Sequence, residues 1–166
     1  MNKVIADNEK FGGVVVAEVI RDSKDGPVVI NRQETHNLVV NTGKRAIWRQ
    51  AGGIDVTHLF KYFRIGTSAA AATAADTNVK TPVGSSLRIC NSFQMSGQTF
   101  QLIVSYQSGA ATTVGGVLSA AGIAEVCVLN SVTTPGGSAL MRAIFSSTVN
   151  KTKSDKLKIS YNVKVS

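Results

Sequence analysis

Between Ile89 and Met141 the chain carries one charged side chain, Glu125. Over all 166 residues the charged fraction is 17%, against about 25% in ordinary soluble domains. A solvated surface normally mixes both signs of charge, and interface cores are depleted in them. The neutral segment is therefore either covered by other subunits or a Ser/Thr/Gly-rich surface that happens to be neutral. Cysteine is almost absent. Cys90 and Cys127 have a spacing that fits no metal motif. Both lie in apolar strand-like runs, where a free thiol behaves as a small hydrophobe, and an unpaired pair suits a reducing compartment. No apolar run is long enough to span a bilayer. The opening "MNKVIADNEKFGG" does not read as a signal peptide, because Asp7, Glu9 and Lys10 interrupt any apolar region.

Chemical signatures are missing too. His36 and His58 are the two histidines, and neither stands in a ligand spacing. No glycine-rich loop follows a strand and opens a helix, and no serine stands in G-x-S-x-G. The acids are scattered, mostly in turns, so a carboxylate pair for sugar chemistry has no support. The expectation is a non-enzyme, with no catalytic residues, no cofactor-binding residues and no metal. The formal net charge is +8, and from Arg142 onward six basic residues face one acid, Asp155. Such a balance permits a nucleic acid, an anionic membrane or an acidic protein as partner. Aromatic residues are only 6% and fall mostly at apolar strand positions. A solvated lysine face on a sheet fits better than a groove that binds nucleic acid directly.

What the chain does have is period-two alternation. Val14 to Arg21 and Val28 to Val40 read as strands around the turn "DSKDGP". The second is long enough to be bent or bulged midway, and Val28 and Val29 both ask for burial. "NTGKRAIWRQAGG" changes period. Asn41 or Thr42 can serve as N-cap, and Gly52 and Gly53 stop the helix. The helix expected over 42–51 is too short to stand alone, so Ile47 or Trp48 must dock on a sheet. "LFKYFRIGTS" is a third strand. "SSLRICNSFQMSG" and "TFQLIVSYQSG" form an antiparallel pair around Gly97. In the latter, Phe100, Leu102, Val104 and Tyr106 point inward, and Ile103 breaks the polar face and marks a contact. "IAEVCVLNS", "SALMRAIFSSTV" and "DKLKISYNVKVS" complete about eight strands. Short strands between Gly/Ser/Pro turns argue for one all-β domain over 1–166, an antiparallel β-sandwich, jelly-roll-like, with one short helix.

The run "IGTSAAAATAADT" stands out among the strands. Alanine is the best helix former, and a short helix is one reading. The other is an extended or irregular connection ending in a turn at "ADTN", where Asp76 bonds its own backbone. The segment lacks an apolar moment, which favours the second.

Four stretches carry a resemblance. "THNLVVNTGKRAI", "FRIGTSAAAATAADTNV", "GIAEVCVLN" and "ALMRAIFSSTVNKTKSDKLKISYNVKVS" together resemble, in order, motifs of small virion proteins of tailed bacteriophages. The likeness runs from about His36 to the C-terminus. Two departures stand out: the alanine-rich loop has no proline, and no acid follows "DTNV". The resemblance implies a structural role without catalysis. It implies a capsid decoration (cement) protein that binds across shell subunits and stabilises the capsid. The alternative is a tail-fibre or baseplate module that recognises a host receptor or glycan. It implies the major capsid protein or other virion proteins as partners, and a virion location with assembly in the host cytoplasm. A homo-oligomer is expected, a trimer by symmetry, and no membrane. Ile103 and the lysines of the last strand, Lys156, Lys158 and Lys164, are the candidate interface residues.

Overall fold

A computed structural model of the chain describes residues 13–51, 60–84, 86–96, 99–107, 121–130 and 139–164. Nine strands and one helix are found among them. The chain begins with the hairpin β1 (Gly13–Ser23) and β2 (Gly26–Val39), then α1 (Asn41–Ala51) and β3 (Tyr62–Gly66). It continues through β4 (Arg88–Ile89), β5 (Ser92–Ser96), β6 (Thr99–Tyr106), β7 (Ala121–Leu129), β8 (Ala139–Lys151) and β9 (Lys156–Lys164). The strands form one antiparallel sheet in the order β4-β3-β7-β8-β2-β1-β9-β6-β5.

The sheet curls on itself. Val15, Ala17 and Val19 of β1, Leu102, Val104 and Tyr106 of β6, and Leu157, Ile159, Tyr161 and Val163 of β9 belong to one buried cluster. The same cluster contains Phe63 and Ile65 of β3, Val126 and Val128 of β7, and Met141 and Ala143 of β8. Strands far apart in the sheet order thus share a core, as burial of their alternate apolar residues requires.

The two ends of the sheet are also neighbours in the chain. β4 and β5 are separated only by Cys90 and Asn91. The amide of Cys90 donates to Lys61 O at 2.6 Å, on the β3 side, and that of Asn91 to Ile103 O at 2.7 Å, on β6. The single strand expected over "SSLRICNSFQMSG" is therefore two. One straight strand cannot pair with β3 and with β6, so it bends where it crosses from one to the other. Beside the bend, the Tyr106 hydroxyl donates to Ser86 O at 2.8 Å, and Ser86 Oγ donates to Ile65 O at 3.0 Å. The core tyrosine thus keeps a partner for its polar end.

The long β2 is bulged, as its sequence suggested. Val19 pairs with Asn31 and Ile20 with Val29, which leaves Ile30 as the extra residue. α1 starts one residue earlier than expected, and neither Asn41 nor Thr42 caps it. Lys44 N donates to Val40 O at 3.0 Å, so Val40 takes the N-cap position. The Thr42 hydroxyl instead donates to Ala139 O at 2.8 Å, and Asn41 N is satisfied by Ala74 O at 2.8 Å. Packing, not local capping, sets this end. A Cβ on Gly43 would collide with the backbone oxygen of Leu140, so β8 approaches the helix at a distance only glycine allows. Ile47 packs against the core. The side chain of Trp48, and Gly52 and Gly53, lie outside the described residues.

β9 lies between β1 and β6, bonded to both along its length. Its apolar residues are buried. At about 1.5–3 kcal/mol for each large side chain, their loss is comparable with the whole net stability of a domain, about 5–15 kcal/mol. Truncation after Ser154 is expected to give protein without cooperative unfolding, checked by circular dichroism and solubility; a folded truncation would overturn the role of this strand.

Asp155 closes the turn before β9. It accepts from Arg21 Nε at 2.8 Å, from Thr152 N at 3.0 Å and from the Thr152 hydroxyl. The Arg21 bond, with those from Thr152, outweighs burial and holds the carboxyl far below the ordinary carboxylate range. Because the folded value is depressed, this stabilisation is present above about pH 4 and is lost as the pH falls toward the folded value. D155N is expected to lower the Tm at neutral pH and to flatten its decline below about pH 4. Thermal melts across pH check it; an unchanged acid limb would show that Asp155 does not carry it.

Candidate functional site

The alanine-rich segment is neither a helix nor a loose linker. It leaves β3 at Gly66 and returns beside it: Thr67 N donates to Thr81 O at 2.9 Å, and Val83 N to Ile65 O at 3.0 Å. Residues 67–81 are thus a compact loop with joined ends, called here the strap. Within it, the turn anticipated around Asp76 is present. Asp76 accepts from Thr73 N at 2.8 Å and from the Thr73 hydroxyl at 2.9 Å. Alanine propensity loses because the backbone carbonyls of this segment are used by something other than a helix.

That something is Arg142, on β8 and fully buried. Its Nη1 donates to Asp76 Oδ2 at 2.9 Å and to Ala71 O at 3.1 Å. Its Nη2 donates to Ala70 O at 3.0 Å and lies 2.7 Å from Glu125 Oε2, which also accepts from Nε at 2.8 Å. All five guanidinium donors are engaged. Glu125, on β7 and equally buried, turns its other contacts to the strap's backbone. It accepts from Thr81 N at 2.9 Å, Lys80 N at 3.0 Å and Ser68 N at 3.3 Å. A Cβ on Gly66 would collide with Glu125 Oε1, so the carboxylate fits only over a glycine. Burial raises the Asp76 pKa, but the bonds from Thr73 and Arg142 outweigh it and leave the carboxyl below its usual value.

The strap covers the face of β7 and β8 that points away from the main core. Under it Val79 meets Val40, Cys127, Leu129 and Ala139 in a second small cluster. Residues 123–129 are consequently buried on both faces. The missing charge in this part of the neutral segment therefore reflects cover by the chain itself. Residues 108–120 and 131–138 lie outside the described residues.

The candidate interface residues fall on the opposite half of the sheet. Ile103 is half-buried on the outer face of β6, opposite Ser160 of β9 and Ser92 of β5. Val16 of β1 stands next in the same row. Lys158 and Lys156 share this face, and each already has an acid. Lys158 Nζ lies 3.1 Å from Glu18 Oε2, and Lys156 Nζ lies 2.9 Å from Asp22 Oδ2. Arg32 extends the row, 3.9 Å from Glu18 and 2.9 Å from Glu34. The lysine face is thus a cross-strand ladder of both signs. The side chain of Lys164 lies outside the described residues. The structure does not bring Ile103 and the lysines together with the strap.

Among the described residues no group of three His, Cys, Asp or Glu could hold a metal. Burial raises the thiol pKa of Cys127 and of Cys90, so neither is a ready nucleophile. No family model, no characterised protein and no solved structure matches this chain. Sequence reasoning passed over the Arg142–Glu125 pair. The available signal was a lone acid inside an apolar strand, which is almost never buried without a cation.

Removing one partner of a buried ion pair costs about 3–5 kcal/mol. R142M is expected to lose stability on that scale and to raise hydrogen exchange selectively over 67–83. Exchange mapped by mass spectrometry checks it; unchanged protection of the strap would show that Arg142 does not hold it.

Proposed function

We propose that this chain is a structural virion protein of a tailed bacteriophage: a capsid decoration protein that binds across shell subunits and is not an enzyme. Its curled sheet is read as a jelly-roll-like β-sandwich. One observation carries the reading. The four stretches that resemble virion proteins lie far apart in sequence and meet at one place. "THNLVVNTGKRAI" contributes Val40, Asn41 and Gly43. "FRIGTSAAAATAADTNV" is β3 with most of the strap, "GIAEVCVLN" carries Glu125, and "ALMRAIF" carries Arg142. Their shared residues hold architecture, since Glu125, Arg142 and Asp76 all spend their hydrogen bonds in keeping the strap on the sheet. A pattern that specifies a shape suits a protein whose task is to present a surface.

The task is mechanical. Each copy adds contact area across the boundaries between major capsid protein subunits, on the scale of about 800 Å² per partner for a specific contact. The outer face around Ile103, Ser160 and Val16 is the surface assigned to it. The protein belongs to the virion, assembles in the host cytoplasm and acts as a homo-oligomer.

Quantitative mass spectrometry of purified particles tests this. Hundreds of copies per particle are expected, and tens or fewer would move the chain to the tail. I103D is expected to weaken particle binding with an unchanged Tm, and wild-type binding by that variant would remove this face from the contact.

A further inference from the structure

The two edges of the sheet are finished differently. β4, at one edge, has two residues and carries Arg88. Shortness and charge are the usual protection of an open edge. β5, at the other, is the five-residue run Ser-Phe-Gln-Met-Ser, with no charge and no proline. Among the described residues nothing pairs with its outer side. The strap lies on β7 and β8 and accounts for the missing charge there. It gives no such account of β5 and β6, where the chain is neutral from Ile89 to Tyr106. Interface cores are depleted in charge in the same way. The side chains agree. Phe100 meets Tyr161 edge-on at 6.2 Å, and Phe93 stacks on Phe100 at 6.2 Å. This file of aromatics starts in the core and ends at Phe93, which is 58% exposed, the most exposed large apolar side chain among the described residues. The core thus reaches the edge of β5 and has no cover there.

The backbone of β5 is equally unfinished. Ser96 pairs with Thr99, and in a hairpin closed by two residues that flanking pair is hydrogen-bonded. Backbone groups of a paired strand turn to alternate sides. Ser92, Gln94 and Ser96 therefore face β6, and the amides and carbonyls of Phe93 and Met95 point away from it. An added strand meets two donors and two acceptors at the spacing of a ladder. The order of the residues says which strand fits. Read in either direction, 92–96 runs hydroxyl, apolar, amide, apolar, hydroxyl. An antiparallel copy centred on Gln94 puts Phe93 opposite Met95, Ser92 opposite Ser96 and Gln94 opposite Gln94. No like charges meet, because the run has none. A strand of another protein would have to supply this pattern, and a second copy already has it.

We infer that β5 of one copy pairs antiparallel with β5 of a second copy about a two-fold axis through Gln94. The two sheets become one continuous sheet, and Phe93 gains an apolar neighbour across the axis. On the outer face the neutral row Asn162, Gln101 and Gln94, in register through β9, β6 and β5, continues into the same row of the second copy. The pairing uses one patch twice, so it closes at two copies. It rests on the homo-oligomer part of the function proposed above and makes that oligomer a dimer in place of the expected trimer. Five residues a side is a smaller contact than the about 800 Å² per partner of a standard interface, so the dimer is expected to depend on concentration.

Sedimentation of purified full-length chain over a range of concentrations, without particles, tests it. The wild type is expected to dimerise. M95P removes an outward amide that β6 does not use, so it is expected to keep the wild-type melt and to sediment as a monomer. F93K, which places a cation on the edge, is the second variant with the same expectation. Cysteines in a C90S background read the register. Across the axis Gln94 forms a non-hydrogen-bonded pair with Cα atoms about 4.5 Å apart, within reach of a disulfide. Oxidised Q94C is expected to cross-link as a dimer. S96C alone is expected not to, since its two copies lie about 14 Å apart at the usual rise, whereas a 1:1 mixture of S92C and S96C is expected to cross-link. A wild type that is monomeric throughout, a folded M95P or F93K that dimerises, Q94C that does not cross-link, or S96C that cross-links alone would overturn the pairing. A monomer present at hundreds of copies per particle would overturn this inference and leave the virion reading standing.

Discussion

The Arg142–Glu125 pair is the interaction on which the outer layer of this protein depends. A buried pair of this kind need not stabilise more than apolar residues of the same size would. What it supplies is direction. Glu125 accepts three strap amides and Arg142 binds two strap carbonyls, so a segment of small, featureless side chains acquires one position. The alanines are part of the solution, since they let the backbone approach the guanidinium. Buried polar groups tolerate few alternatives, and Gly66 is required by the same closeness.

The curl of the sheet follows from a second constraint. A single sheet with one apolar face must cover that face, and here it does so with its own other end. The crossing at Cys90 and Asn91 ties the two ends by adjacent amides. β9, held between β1 and β6, then sits against both halves of the core. The strap closes the outer side of one half and leaves the outer side of the other open.

The charge distribution acquires a different meaning in three dimensions. The basic C-terminal strand read as a free lysine face. Its lysines at 156 and 158 lie against Asp22 and Glu18, acids separated from them by more than a hundred residues of chain. Such exposed pairs contribute little to stability. Their effect is to make that face mixed in sign, so a partner recognising it meets a ladder and not a uniform field.

The strands, the helix and most of their faces were legible in the sequence because alternation and turn chemistry are local. The inward residues of β6 and β9 are those their period predicts. The sequence also determined that β7 is a continuous apolar run and that Glu125 stands alone within it. Only the tertiary structure decided what the run meant, because its second cover comes from the strap and its counter-charge from β8, seventeen residues away. The break between β4 and β5, the start of α1 after Val40 and the anchoring of the strap, whose irregular course and Asp76 turn were legible, were likewise beyond local reasoning. In each, a contact with a distant backbone outweighs the local preference: β3 and β6 pull one strand apart, Leu140 fixes Gly43, and Arg142 takes the carbonyls an alanine helix would have used.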